Sequence, residues 1–347
     1  MSLCVAITGL GCVSHAGVGV AVAREALAAG LRPVPPVLAP PLVELEPLLP
    51  GLGFPRPPRT SQLCLLAARE AWAQAALPES REPERLGLAL SRNHGQHQLV
   101  ERYLTKLWDS GPSSVSGLQF VQTIANTALG LLAMQLTLRG PSELFFGPPA
   151  LGLALDWLRL ERADAVLVGG FDECSEFTLA SCAAWGLDPQ SFLAGDAAAF
   201  VMLEPGVVLG RREQAPLGYL CGYATLYDRI GRRNPLERHP DDLAQVIRLA
   251  LADAKLPTEA ITCIVANAGA GLEQTDAAEQ AALEQVFGTV PMQAHPKAVL
   301  GETWGAAGCL GLIAALEALK TKPGAALVLC ADFSGQNVAF VVTTGER

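Results

Sequence analysis

Residues 297–308 read KAVLGETWGAAG. A carboxylate, Glu302, stands between a short apolar run and a string of small residues that opens a helical pattern. Small residues at the start of a helix let another group approach the backbone closely. A negative charge in that setting raises the question of whether the position does chemistry.

Outward from this stretch, short apolar runs alternate with longer helical patterns. VAITGLG (5–11), RLGLALS (85–91), DAVLVGG (164–170) and AAFVMLE (198–204) read as buried strands. QLCLLAAREAWAQAAL (62–77) and ALGLALDWLRLERA (150–163) read as helices. Such alternation predicts α/β layers. The chain also repeats itself weakly. Residues 66–78 followed by RLGLALS resemble 246–257 followed by ITCIVAN, and residues 150–170 resemble 309–331. Each pair is helix then strand, in the same order, which predicts two similar halves stacked on each other. Residues 31–59 are rich in proline and read as an irregular surface excursion.

The bulk properties set the outer limits. Of 347 residues, 50% are apolar and 17% charged, with mean hydropathy +0.30, which describes a globular chain with a large core. A net charge of −9 argues against nucleic acid as partner. No apolar run is long enough for a membrane span, and MSLCVAITGLGC lacks the basic segment of a secretory signal. Nine cysteines are scattered singly and predict reduced core thiols in a cytoplasmic protein. The five histidines, including His94 and His97 in HGQH, show no metal-ligand spacing and read as surface loop. GLGCVS places Ser14 where a dinucleotide fingerprint needs its third glycine. No metal and no cofactor is expected.

Six segments, in order, resemble the β-ketoacyl synthase branch of the thiolase fold. They are VAITGLGCVSHAG (5–17), GPSSVSGLQFVQTIANTALG (111–130), LRGPS (138–142), FLAGDAAAFVMLEP (192–205), KAVLGETWGAAG (297–308) and DFSGQN (332–337). The resemblance implies a duplicated five-layer αβαβα fold, with ketosynthase-like halves at 1–205 and 206–347. It also implies three catalytic groups: a cysteine at a helix N-terminus, its thiolate favoured by the dipole, and two histidines. Local spacing puts Pro149 at the cysteine position, Ala268 at the first histidine and Glu302 at the second. The family's lysine remains as Lys297, its gating phenylalanine as Phe333, and its Asp-x-x-Glu as Asp276 and Glu279. Proline cannot be a nucleophile, and a carboxylate cannot serve as the imidazole does.

Joint loss of all three groups points to a non-catalytic subunit resembling the chain length factors of type II polyketide, polyene and aryl-polyene synthases. Such a subunit forms a heterodimer with an intact ketosynthase, meets acyl carrier protein through that complex, and shapes the acyl tunnel. The resemblance places Val115, Leu118, Gln119 and Phe120 beside the partner's tunnel, with the strand Ser142 to Phe146 along the dimer dyad. Phe145 and Phe146 are expected to plug vacated acyl space. Glu302 is either an internal ion pair with Lys297 or a partly solvated acid at a helix start. The alternative is a thiolase-fold enzyme with relocated chemistry on carrier-bound acyl chains, for which Cys12, Cys182 and Cys309 are the displaced-nucleophile candidates.

Overall fold

The computed structural model describes residues 4–34, 37–38, 49, 57–206 and 215–345. Most of the proline-rich stretch expected as a surface excursion lies outside them. Ten main strands form two sets of five. The first set is β1 (Val5–Ser14), β2 (Leu86–Arg92), β3 (Ser142–Phe146), β4 (Ala165–Asp172) and β5 (Ala197–Pro205). The second is β6 (Gly218–Tyr227), β7 (Ile261–Val265), β8 (Met292–Ala294), β9 (Ala325–Ala331) and β10 (Gln336–Thr343). Spatial order is β3-β2-β4-β5-β1 in the first half and β8-β7-β9-β10-β6 in the second, so the halves match strand for strand. Directions match as well. β2 is parallel to β3 and β4, as β7 is to β8 and β9, and the remaining pairs in each set are antiparallel. Three register pairs, Val5↔Leu220, Ala6↔Tyr219 and Ile7↔Gly218, join β1 to β6, so one hydrogen-bonded path runs through both halves.

The helices complete five layers. They are α1 (Val20–Ala29), α2 (Arg59–Ala75), α3 (His97–Ser110), α4 (Gly117–Thr123), α5 (Thr127–Gln135), α6 (Ala150–Arg159), α7 (Glu176–Ala184), α8 (Pro240–Ala254), α9 (Glu273–Phe287), α10 (Lys297–Leu300) and α11 (Ala307–Thr321). Alternate residues of each strand face opposite layers. Val166 and Val168 of β4, with Val328 and Cys330 of β9, pack on α6 and α11 in the middle. Leu88 and Leu90 of β2 pack outward on α2 and α5. Leu327 and Leu329 of β9 pack outward on α8 and α9. The middle helices touch at their N-termini, where a Cβ added to Gly308 would lie 3.3 Å from Leu151 Cδ1. The two repeats read in the sequence are α2–β2 against α8–β7, and α6–β4 against α11–β9.

One expectation about the cysteines is corrected. Cys4 and Cys221 form a disulfide across the β1–β6 seam, and the other seven are free. The register makes this so. Val5 faces Leu220, which brings the preceding and following residues together although they are 217 apart in sequence. β3 ends one edge of the sheet path and β8 the other. The β8 edge is three residues long, whereas β3 is an exposed five-residue strand, SELFF.

Candidate functional site

The middle layer and the loops at the ends of β2, β7 and β9 converge on Glu302. Its side chain is fully buried. One carboxylate oxygen accepts from Lys297 Nζ at 2.6 Å and the other from the backbone N–H of Trp304 at 2.8 Å. Its backbone pairs with Leu193 and Gly195, which pins the residue against the segment before β5. Lys297, itself buried, also donates to Asn267 Oδ1 at 2.6 Å, and that oxygen takes the Ala331 N–H at 2.9 Å. The internal ion pair is therefore the outcome, and the solvated acid at a helix start is not. The bonds around the pair tie Glu302 and Lys297 to the Leu193–Gly195 segment, to Asn267 and, through Asn267, to Ala331.

Ala268 follows Asn267 in the loop after β7. Its N–H and that of Asn267 donate to Glu279, while Gly269 N–H donates to Asp276. Burial pushes the Glu279 carboxyl up to about 7 against these hydrogen bonds, which pull it down. Pro149 caps the start of α6, where Ala150 N–H finds Ser91 Oγ at 3.2 Å. The turn before it holds Gly147 at φ 92°, against the Asp332 and Ser334 side chains. That contact brings the Pro149 turn up to the Phe333 loop. Asp172, at the end of β4, collects the N–H groups of Asn93, His94, Gly95 and Gly305. Burial raises its carboxyl to about 7.

Phe333 belongs to an aromatic cluster with Phe192, His94 and Trp304. Trp304 lies edge-on to His94 at 4.8 Å and to Phe333 at 6.2 Å, and Phe192 stacks on Phe333 at 6.2 Å. Two of the packed residues were misread from the sequence. His94 and His97 are not surface loop; they lie 5.2 Å apart and are packed, His94 on Trp304 and Phe333, His97 on Phe177. Burial, then the neighbouring His97 and Arg92, lowers the His94 imidazole to about 3, so it is neutral. The signal available for them was their place just after β2, at the strand ends where the other loops meet. A cavity of about 170 Å³ opens beside the cluster, lined by Asn93, His94, Phe146, Cys182, Trp185 and Phe333 among others. Among the described residues no group of three or more His, Cys, Asp or Glu is placed to hold a metal ion.

Burial holds the three candidate cysteines in the thiol form. Burial pushes Cys12 up to about 12 and Cys182 to about 11, and raises Cys309 further still. Thiolate, not thiol, is the attacking form.

The residues around α4 lie apart, on the surface. Ser116 and Gln119 form a capping box at the start of α4, so the Gln119 side chain is committed to its own helix. Leu118 and Phe120 are 50% and 52% exposed, and Val115 is half-buried just before them. Phe145 is partly buried and packs on the middle-layer core. Phe146 stands on the lining of the 170 Å³ cavity and is 58% exposed. Strand alternation forces this, because β3 can turn only one of two adjacent phenylalanines inward. Val121, Ile124 and Met134 extend the exposed apolar face, which holds a groove of about 210 Å³ between α4 and α5.

Comparison with known proteins agrees with this geometry. The family models for the N-terminal and C-terminal domains of β-ketoacyl synthase match residues 58–215 and 217–326. The actinorhodin polyketide β-ketoacyl synthase 2 of Streptomyces coelicolor is 31% identical over 91% of this chain and 86% of its own length. The tetracenomycin polyketide synthase ketoacyl synthase beta subunit of Streptomyces glaucescens is 29% identical over 78% of this chain and 71% of its own. Among solved structures, the ishigamide ketosynthase/chain length factor superposes with a TM-score of 0.89 at 22% identity, covering 99% of this chain and 100% of that one. The chain belongs to the β-ketoacyl synthase family.

Proposed function

We propose that this chain is the non-catalytic, chain-length-factor-like subunit of a type II ketosynthase, acting in polyketide, polyene or aryl-polyene biosynthesis. The observation that carries the reading is the buried Lys297–Glu302 pair, standing where the resemblance puts a catalytic histidine. Pro149 and Ala268 stand at the other two relic positions, and the chemistry belongs to the partner. That partner is an intact ketosynthase with its own cysteine and two histidines, bound along β3 and α4. Acyl carrier protein reaches this subunit only through the complex. Val115, Leu118, Gln119, Phe120, Phe145 and Phe146 belong to the interface and tunnel wall, with Gln119 contributing through its helix cap. The halves 1–205 and 206–347 are its two ketosynthase-like parts, and it acts in the cytoplasm.

The relatives support the reading, since one is a polyketide synthase ketoacyl synthase beta subunit. So does the exposed apolar face. Unpaired edge strands and large apolar patches on a surface are sites of association. The interface is expected to bury at least about 2,000 Å² in total. The experiment is co-expression with the neighbouring intact ketosynthase. A stable heterodimer forms, products appear only with both chains, and this chain alone takes up no acyl group. Carrier-dependent turnover by this chain alone would replace the reading with relocated chemistry.

A further inference from the structure

Next to the aromatic cluster lies a second, wider opening. This vestibule, about 490 Å³, is lined by Trp185, Asp188, Asn234, Leu236, Glu237 and Glu273 among others. Its lining carries three carboxylates and no lysine or arginine. The vestibule and the 170 Å³ cavity adjoin at Trp185 and Leu236, which line both. The cavity beyond is largely apolar, but its lining is not complete in hydrogen bonds. Asn93 is 4% exposed, its amide N–H₂ is spent on Asp332, and its Oδ1 has no partner among the described residues. His94 Nε2, on the same lining, has none either.

We propose that this two-part channel binds a small aryl-alkyl amine. The ammonium sits among the vestibule carboxylates, the ring enters the cavity, and a hydroxyl on the ring donates to Asn93 Oδ1. Each part selects. A cavity of about 150 Å³ accepts a benzene-sized ring. A purely apolar guest would leave a buried amide oxygen unsatisfied, which costs about 1–3 kcal/mol in general. An anionic guest would meet three like charges on the way in. The carboxylates, Asn93 and His94 all belong to this chain, and of the lining residues only Phe146 also stands on the proposed interface, so ligand binding and pairing are measured separately.

The test uses three ligands that differ only in head group: tyramine, tyrosol and 4-hydroxyphenylacetate. Each is titrated by saturation-transfer NMR into the full chain co-purified with its partner. Tyramine binds tightest and 4-hydroxyphenylacetate weakest, with about tenfold between them, the sum of contacts to two exposed carboxylates and the half-buried Glu237. Asp188→Asn together with Glu273→Gln brings tyramine close to tyrosol. Cys182→Phe and, independently, Leu236→Trp fill the cavity and remove the binding, which also subtracts any contribution from the partner's own site. Equal affinity for all three ligands overturns the proposal. So does binding that survives both filled variants, or no saturable binding of tyramine below about 10 mM, a dissociation free energy too small for a built site.

Discussion

The interior around Glu302 and the surface around α4 and β3 solve opposite problems. Inside, charges are buried and each is answered: Lys297 bonds Glu302 and Asn267, Asp172 takes four N–H groups, and Glu279 takes two. Outside, Leu118, Phe120, Val121, Ile124, Met134 and Phe146 are left in contact with solvent. A catalytic subunit needs polar groups aimed at a substrate and can afford to hide its apolar ones. In this chain the buried charges bond to neighbouring loops, and the apolar side chains of α4 and its surroundings lie exposed.

The largest expected effect lies in the interior. Lys297→Met leaves Glu302 charged and buried without its cation, and should cost about 3–5 kcal/mol in denaturant unfolding. Adding Glu302→Leu should restore most of the loss, because replacing both partners removes the stranded charge. A single variant as stable as the parent would show that the interior is not held by the pair. On the surface, Leu118→Asp with Phe120→Asp should weaken pairing with the ketosynthase by tenfold or more, read by analytical ultracentrifugation, since two apolar anchors and their pocket are lost. Undiminished pairing would move the interface elsewhere. Enlarging Val115 or Leu118 to Trp tests a finer point: products shorten in mass spectra while the partner's self-acylation persists. Unchanged length in both variants, with the heterodimer intact, removes the shaping role.

A smaller effect separates the two regions by pH. The folded Glu279 carboxyl, raised from 4.5 to about 7, holds a proton that the unfolded chain releases. Its contribution to stability is full below about pH 4.5 and is lost as pH rises through 7. Melting temperatures of the parent and of Glu279→Gln, scanned from pH 5 to 8, should therefore diverge, the parent declining more steeply. Parallel curves would mean that Glu279 is ionised throughout. The smallest effect is a null: Pro149→Cys should gain no acyl adduct in intact-mass spectra, because a thiol restored without the two imidazoles lacks its base and its polarising groups.

The fold was legible because period and order survive in the sequence. Strand and helix patterns recur in the same succession in both halves, and the structure pairs α2–β2 with α8–β7 as that repetition implies. Pro149, Ala268 and Glu302 are assigned by spacing within the segments that resemble the family. What local reading missed depends on distant parts of the chain. Whether Glu302 pairs with Lys297 is decided by burial, which Leu193 and Asn267 impose from elsewhere. HGQH looks like a solvated turn until Trp304 and Phe333 close over it. The Cys4–Cys221 contact has no spacing signal at all, since it follows from the register of two strands that meet across the halves. Phe146 is different: the period of two along SELFF already required one of its phenylalanines to face out.

The position of β1 carries a cost in time. All ten of its residues are buried, and it is central in the sheet, yet its partners come late. Val5 pairs with Pro205 and Leu220, roughly 200 residues downstream. At a synthesis rate of about 5–20 residues per second, the first strand leaves the ribosome roughly 10–40 s before the chain it pairs with exists. For that interval an apolar strand, VAITGLGCVS, has α2 to lie on but neither of its long sheet neighbours. Slowing translation downstream of β1 should therefore lower the yield of folded subunit, and a holdase chaperone that covers the strand should restore it.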